Sequence, residues 1–517
     1  MTSNSKGLIL DRRSLLAGAS ALGLATVLGR PLRAQETPQR GGVFVMGIGG
    51  GSTTDDFDVR KLTDWVPVNQ AYMVMNGLVE IDKDNLAQPE LFESWTAAEG
   101  AVEWTFKVRQ GVTFHNGKTL TADDIVYSLN IHRGDTTSAA RSVAAAFKDV
   151  AKLSDSEVKI TLESGNADLP YVLSDYHFLV VPDGFQDWSN PIGTGPFTLE
   201  SFEPGVRARF VRNESYWKPG CANVDAVEVI VINDISARTN ALMSGQVHAI
   251  NRVDFKTVDL LSRAPNLQIL RSAGGQHFTF LMDCTQAPFS DNNVRMAIKH
   301  AIDREQLLQT ALLGNGRLGN DHPIPSTDRF YNSELPQRAY DPEKAKYYLK
   351  QAGLDTLSVT LASSDAAFPG AVDAAAVFRT AAVAGGITVD VKREPADGYW
   401  DNVWMKAPFC MSFWGGRPTA DQMLTIAYQS ASAQNDTRWA NDEFDKLLVE
   451  ARALLDENRR REIYWRLQEL ISNEGGAMIP MFGDYIDATA TKVKGVHTHP
   501  MFNLMGARMA EKIWLEA

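Results

Sequence analysis

The sequence predicts an α/β protein of two lobes coupled through a hinge. At 517 residues the chain exceeds what one hydrophobic core usually supports. Residues 358–361, 371–384 and 387–391 read as strand, Ala-rich helix and strand, a unit of the length that makes a right-handed parallel crossover. No repeat, low-complexity tract or long flexible linker separates the segments. Lobes joined in this way exchange the chain through short strands and move about them.

Apolar residues make up 44% of the chain and charged residues 22%, as in soluble globular proteins. The N-terminus differs in kind. Arg12-Arg13 precede an Ala/Gly/Leu run ending near Leu28, and Ala34 offers a small residue for cleavage. This reads as a signal peptide over residues 1–34, with the paired arginines of the twin-arginine type. The apolar run is shorter than the roughly 20 residues a membrane-spanning helix needs. No Cys lies near the cut, so no lipid anchor is expected. Removing residues 1–34 takes away five basic residues and one acid, moving the formal charge from −12 to −16. That acidity argues against a nucleic-acid partner, which requires a basic surface. Cys221, Cys284 and Cys410 leave room for one disulfide and one odd thiol, and none stands in a CxxC.

In chain order, residues 40–45 start the mature fold as a strand. A Gly-rich loop follows at Gly49-Gly50-Gly51-Ser52-Thr53-Thr54-Asp55, without the Lys of a phosphate loop. Residues 104–109 alternate as a half-buried strand. Asn116-Gly117 marks a turn beside His115, which reads as solvated, and Thr121 with Asp124 forms a capping box for the next helix. The run PIGTGPF at residues 191–197 excludes helix by its glycines and prolines. Residues 198–202 then alternate, Glu203-Pro204-Gly205 turns, and residues 206–210 alternate back as a hairpin. A strand at 227–232 precedes a short helix at 237–247. After a strand at 276–281, Ser290 is placed to cap a helix whose Val294, Ala297, Ile298, Ala301 and Ile302 share one face. Asp341-Pro342 begins a further helix that Gly353 ends. A long amphipathic pair from Asn441 breaks at Asp456-Glu457-Asn458.

Residues 409–421, FCMSFWGGRPTAD, are the richest candidate site. A strand empties into Gly415-Gly416, which permits close backbone approach. Trp414 supplies a flat apolar wall and Arg417 a fork suited to carboxylate or phosphate, with Trp400 and Trp404 just upstream. The competing reading makes the tryptophans ordinary core and Arg417 a surface ion pair. His322, His497 and His499 invite a metal test, since an HxH on a strand points both rings to one face. No third ligand has usable spacing, so no metal is expected. No nucleophile–base constellation such as GxSxG, HExxH or SxxK stands in a supporting context, so no enzyme activity is expected.

The stretch PIGTGPFTLESFEPGVRARFVRNESYW, together with the blocks at 72–80 and 89–95, resembles the family 5 extracellular solute-binding proteins, the peptide and nickel receptors of bacterial ABC importers. The resemblance implies a periplasmic-binding-protein fold, class II-like with an enlarged first lobe, hinge strands and a ligand cleft between lobes. It implies a first lobe over residues 35–284, a second over 285–484 and a return segment over 485–517. The function implied is periplasmic capture of a peptide or small solute by a monomer, without a cofactor, for a membrane ABC permease. A hydrolase and a chaperone-like peptide holder are the alternatives. Ligand-binding expectations fall on Gly51, Ser52, Thr53, Asp55, His277, Trp400, Trp404, Trp414, Gly415, Gly416, Arg417 and Asp421. In peptide-binding members an aspartate in the loop matching residues 415–421 pairs with the peptide's amino group. In this chain Arg417 takes that place, which implies an acidic or opine-like ligand unless Asp421 does the aspartate's work.

Overall fold

The computed structural model describes residues 37–516. The expected leader and its cut near Ala34 lie outside the described residues. Among the described residues no helix is long and apolar enough to cross a membrane.

One mixed sheet of eleven strands carries the fold. One half runs Ile387–Arg393, Leu357–Ser363, Phe409–Trp414, Leu267–Met282 and Ala477–Ala490, with Gly316–Leu318 also paired to the last of these; the other continues through Ala249–Ile250, Val43–Ile48 and Ala226–Val231 to the hairpin Arg207–Arg212 and Phe197–Glu203. The halves face separate cores. Phe280, Ile298, Leu361, Phe378 and Leu467 belong to one, and Phe44, Val74, Phe210, Val229 and Met509 to the other. This is the two-lobe binding-protein architecture. Each fully buried large side chain favours its core by about 1.5–3 kcal/mol, so each lobe is held by apolar burial of its own. A third core, with Phe106, Ile125 and Ile160, lies under a separate four-stranded sheet and enlarges the first lobe.

The crossover forms as the spacing predicts. Strands Leu357–Ser363 and Ile387–Arg393 pair in parallel, joined by helix Ala371–Ala382. The Asp341 side chain accepts from Lys344 N–H at the start of helix Pro342–Gln351, and Thr121 with Asp124 closes a capping box. Two local expectations need correction. Asp291, not Ser290, caps helix Asn292–His300, because its carboxylate reaches the Asn293 N–H at 2.8 Å. The helix expected at 237–247 runs Ile235–Met243, with Gly245 beyond it in a left-handed conformation. All three cysteines are free thiols.

The PIGTGPF run packs against the end of helix Trp65–Val74. A Cβ on Gly193 would stand 2.2 Å from the Val74 carbonyl oxygen, and one on Gly195 2.4 Å from the Val74 carbonyl carbon. Only glycine fits at either position. Between them, the Thr194 hydroxyl donates to Asn76 Oδ1 at 3.0 Å, and the Trp217 indole N–H donates to the same oxygen at 3.0 Å. His115, expected in solvent, is partly buried; its backbone N–H donates to Gly193 O at 2.9 Å and its Nε2 to Gly195 O at 3.0 Å. The motif is therefore a joint. It ties the main sheet to the four-stranded subdomain.

Strands Leu267–Met282 and Ala477–Ala490 pair antiparallel from Leu267 opposite Ala490 to Leu281 opposite Ala477. Both run from the core of Phe280 to a smaller one around Leu261 and Ile486, and their register shifts between Ala273 and His277 and between Phe278 and Phe280.

Candidate functional site

A cavity of about 320 Å³ lies where the two lobes face each other. The first lobe supplies Tyr72 from helix Trp65–Val74, Ile81 from strand Val79–Ile81, the segment 174–176, and parts of 499–508. Gly416, Arg417 and Pro418 close it from the second lobe. Strand Phe409–Trp414 delivers these three, and Gly416 is required for the approach. A Cβ there would lie 3.0 Å from Gly275 Cα of the neighbouring strand. The glycine pair thus lets two backbones meet, and leaves the Arg417 side chain at the cavity.

Arg417 is the site's open charge. Its Nη1 donates to the carbonyl oxygens of Gly415 and Gly416, each at 3.2 Å, and among the described residues no carboxylate pairs with it. Burial holds its guanidinium below the ordinary arginine range, with Tyr485 and Tyr176 nearby. Burial likewise pushes the Tyr485 and Tyr176 hydroxyls up to about 12, so both are neutral donors at physiological pH.

The other cation at the cavity is already matched. Arg508 donates to both Glu90 oxygens, at 2.7 and 2.6 Å, and stands 4.3 Å from the Tyr72 ring centroid. Lys218 joins the same buried cluster, contacting Glu80, Glu90 and Glu511 at 2.8, 3.0 and 2.9 Å. Such a network fixes the wall, because breaking a buried pair strands the remaining charge.

The 499–508 wall has an unusual backbone. Leu504, Met505, Gly506 and Ala507 are all left-handed, with φ of 54, 59, 73 and 63°. For residues other than glycine this conformation costs energy and needs outside support. Asp487 provides it, accepting from the Asn503 side chain at 2.7 Å and from Leu504 N–H at 2.5 Å. Burial pushes the Asp487 carboxyl up to about 7.

The residues singled out in the sequence fall in several places. Gly416 and Arg417 line the cavity, and Gly415 offers its carbonyl to Arg417. Trp414 is buried; its indole donates to Asp436 Oδ2 at 2.9 Å, Trp404 donates to the same oxygen at 3.4 Å, and the Arg417 guanidinium lies 5.9 Å from the Trp414 ring. Trp400, 39% exposed, packs on Trp404 and Phe413. Asp421 is buried with both oxygens 3.0 Å from Arg452 Nε, so its carboxylate is already occupied. His277 sits in the sheet, its Nδ1 donating to Gly275 O at 3.0 Å and its ring against Phe482. The Gly51–Asp55 loop is held elsewhere in the first lobe: Asn233 bonds Gly51 in both directions, and Asp55 accepts from Ser52 N–H at 2.9 Å. His497 and His499 lie in a loop, not on a strand, and each ring bonds a carbonyl. Among the described residues no group of three His, Cys, Asp or Glu is arranged for a metal.

Sequence reasoning missed the first-lobe wall. Tyr72 and His499 were visible in other contexts, whereas Asp175, Tyr176 and Phe502 carry no local motif.

The profile of bacterial extracellular solute-binding proteins, family 5 Middle, matches residues 87–437, more than half of the chain. The chain belongs to this family. Heme-binding protein A of Haemophilus influenzae is 26% identical over 446 residues, covering 78% of this chain and 80% of that protein. The dipeptide-binding protein of Escherichia coli K12 is 24% identical over 454 residues, covering 80% and 84%. The structure of HbpA2 from Haemophilus parasuis superposes with a TM-score of 0.83 at 21% identity, covering 92% of this chain and all of that one. Members of family 5 are substrate-binding proteins of ABC importers that work outside the cytoplasmic membrane, and this solute-binding protein shares their two-lobe cleft.

Proposed function

We propose that this family 5 protein captures a small anionic solute, such as an acidic peptide, an acyl amino acid or an opine-like conjugate, and delivers it to a membrane permease. It works as a periplasmic monomer, exported by its twin-arginine leader and cut near Ala34. Residues 35–284 and 485–517 act as one lobe and 285–484 as the other. The protein holds its solute without altering it. The observation that carries this reading is Arg417, a desolvated guanidinium at the cavity with only carbonyl partners. A partly buried cation without a paired carboxylate is costly, and a ligand carboxylate or phosphate offsets that cost through charge-assisted hydrogen bonds. Closure follows when the solute touches both walls, since only differential contact shifts the population of closed molecules.

Calorimetry of the mature protein against acidic di- and tripeptides, glutathione, acyl amino acids and opines tests the reading. Binding is expected for anions and is lost in Arg417→Ala; affinity unchanged by that substitution overturns the assignment.

A further inference from the structure

Among the described residues Asp175 is the one carboxylate lining the cavity, and as a bare anion it would oppose the charge of Arg417. Asp175 Oδ1 accepts the backbone N–H of His177 at 2.9 Å and lies 2.6 Å from His177 Nδ1. The other ring nitrogen, Nε2, lies 2.8 Å from the Leu62 carbonyl oxygen. A carbonyl oxygen only accepts, so Nε2 carries hydrogen, and a neutral imidazole has no second N–H. The short contact between Nδ1 and a carboxylate oxygen therefore needs another hydrogen, on the nitrogen or on the oxygen. In both forms the Asp175–His177 pair has no net charge.

His499, on the same cavity, provides the contrast. Its Nε2 donates to Ile81 O at 3.0 Å and its Nδ1 accepts Met501 N–H at 3.2 Å, which one neutral ring satisfies. The other ionisable groups in electrostatic reach of Asp175 are Arg417, Tyr72, Tyr176 and His132; His132 also faces His177. With Arg508 matched by Glu90, an Asp175–His177 pair of no net charge would leave Arg417 as the cavity's net charge.

Resting on the reading of the cavity as an anion site, we propose that His177 sets its charge selectivity: by neutralising Asp175 it makes the site take anions, and without it Asp175 becomes a receptor for a ligand ammonium. Asp175 Oδ2 has no hydrogen-bond partner among the described residues, so a freed carboxylate has an oxygen to offer. His177 is a positioning and charge-setting residue; the groups that touch the ligand are Arg417 and, in the altered protein, Asp175.

Two measurements decide this. Long-range proton–nitrogen spectra of histidine-labelled mature protein at pH 7, with carbon shifts of the Asp175 carboxyl, need no ligand. A doubly protonated His177 ring, or a protonated Asp175 carboxyl, supports the proposal; a singly protonated ring beside an ionised carboxylate overturns it. Calorimetry then compares N-acetyl-glycylglycine, glycylglycine and glycylglycinamide, one scaffold in three charge states. The mature protein is expected to prefer the acetylated anion by about tenfold over the zwitterion, His177→Ala to reverse that order, and His177→Ala with Asp175→Asn to restore it. Anion preference kept in His177→Ala removes the role of His177 alone. A native protein that does not prefer the anion overturns the reading of Arg417 and the proposal with it. If His177→Ala does not fold, calorimetry of Asp175→Asn decides: an anion preference unchanged from the native protein supports a pair of no net charge, and a preference that rises markedly overturns it.

Discussion

Asp168 and Arg460 form a buried ion pair between the four-stranded subdomain and the second lobe: Asp168 Oδ2 stands 2.7 Å from Arg460 Nη2, with both side chains almost inaccessible to solvent. Arg329 holds the other Asp168 oxygen, and Ala167 N–H donates to Arg452 O at 2.7 Å nearby. These contacts clamp the lobes together on one side of the cavity. Asp168→Ala leaves two arginines without their anion, a loss of about 3–5 kcal/mol for a buried pair. Chemical denaturation should show that loss, and small-angle scattering should show a more extended particle; an unchanged scattering profile would mean that the pair does not hold the lobes together.

Asp436 is buried with two indole N–H donors and no cation, and burial pushes its carboxyl up to about 7. Its folded value lies above the unfolded one, so its contribution is complete at low pH and is lost as pH rises through about 7. Asp436→Asn keeps an acceptor for both tryptophans and cannot ionise. Its stability should exceed that of the native protein at pH 8, by an amount on the order of 1–3 kcal/mol, with a clearly smaller gain at pH 5 and next to none below pH 4. Equal gains at pH 8 and pH 5 would contradict desolvation of the carboxylate as the cause.

His132, His277, His322 and His499 have the opposite sign. Burial lowers each from 6.5 to about 4. Their stabilising contribution is complete above about pH 6.5 and is lost as pH falls toward 4, by up to ~1.4 kcal/mol per pH unit for each ring. The urea midpoint should therefore drop between pH 7 and pH 4.5. A midpoint indifferent to acid would show that these rings are not held neutral.

The Gly193-Thr194-Gly195 joint offers a steric test. Gly195→Ala puts a methyl group against the Val74 backbone and should prevent accumulation of folded protein. Thr194→Val keeps the shape and removes the hydroxyl donor to Asn76, at a cost of about 1–3 kcal/mol. Soluble yield checks the first and a thermal melt the second; a Gly195→Ala protein that accumulates and melts like the native one would contradict the steric argument.

The fold was legible where local rules act alone. The hairpin after residue 197, the crossover at 357–393 and the caps at Thr121 and Asp341 each follow from short-range geometry. The cavity was half legible. Gly416 and Arg417 announce themselves through a strand that ends in paired glycines. The opposite wall did not, because it is assembled from residues near 72, 175 and 500, and only tertiary pairing brings these together. The left-handed turn at 504–507 is hidden for a related reason. Nothing in Leu504 or Met505 favours that backbone; Asp487, on another strand, imposes it.

The two long strands, Leu267–Met282 and Ala477–Ala490, bear on how the molecule opens. A swing confined to a loop has wide latitude, but in this protein any relative rotation must flex a hydrogen-bonded ribbon whose ladder is already broken at two places, between Phe278 and Phe280 and, over a longer stretch, between Ala273 and His277. Bending concentrates where rungs are missing. Gly274 and Gly275 occupy that gap, and Gly275 touches the loop that carries Arg417. A bend there would act directly on the Arg417 loop, so, with the solute held as proposed, its release and the loosening of its charge contact would be one movement.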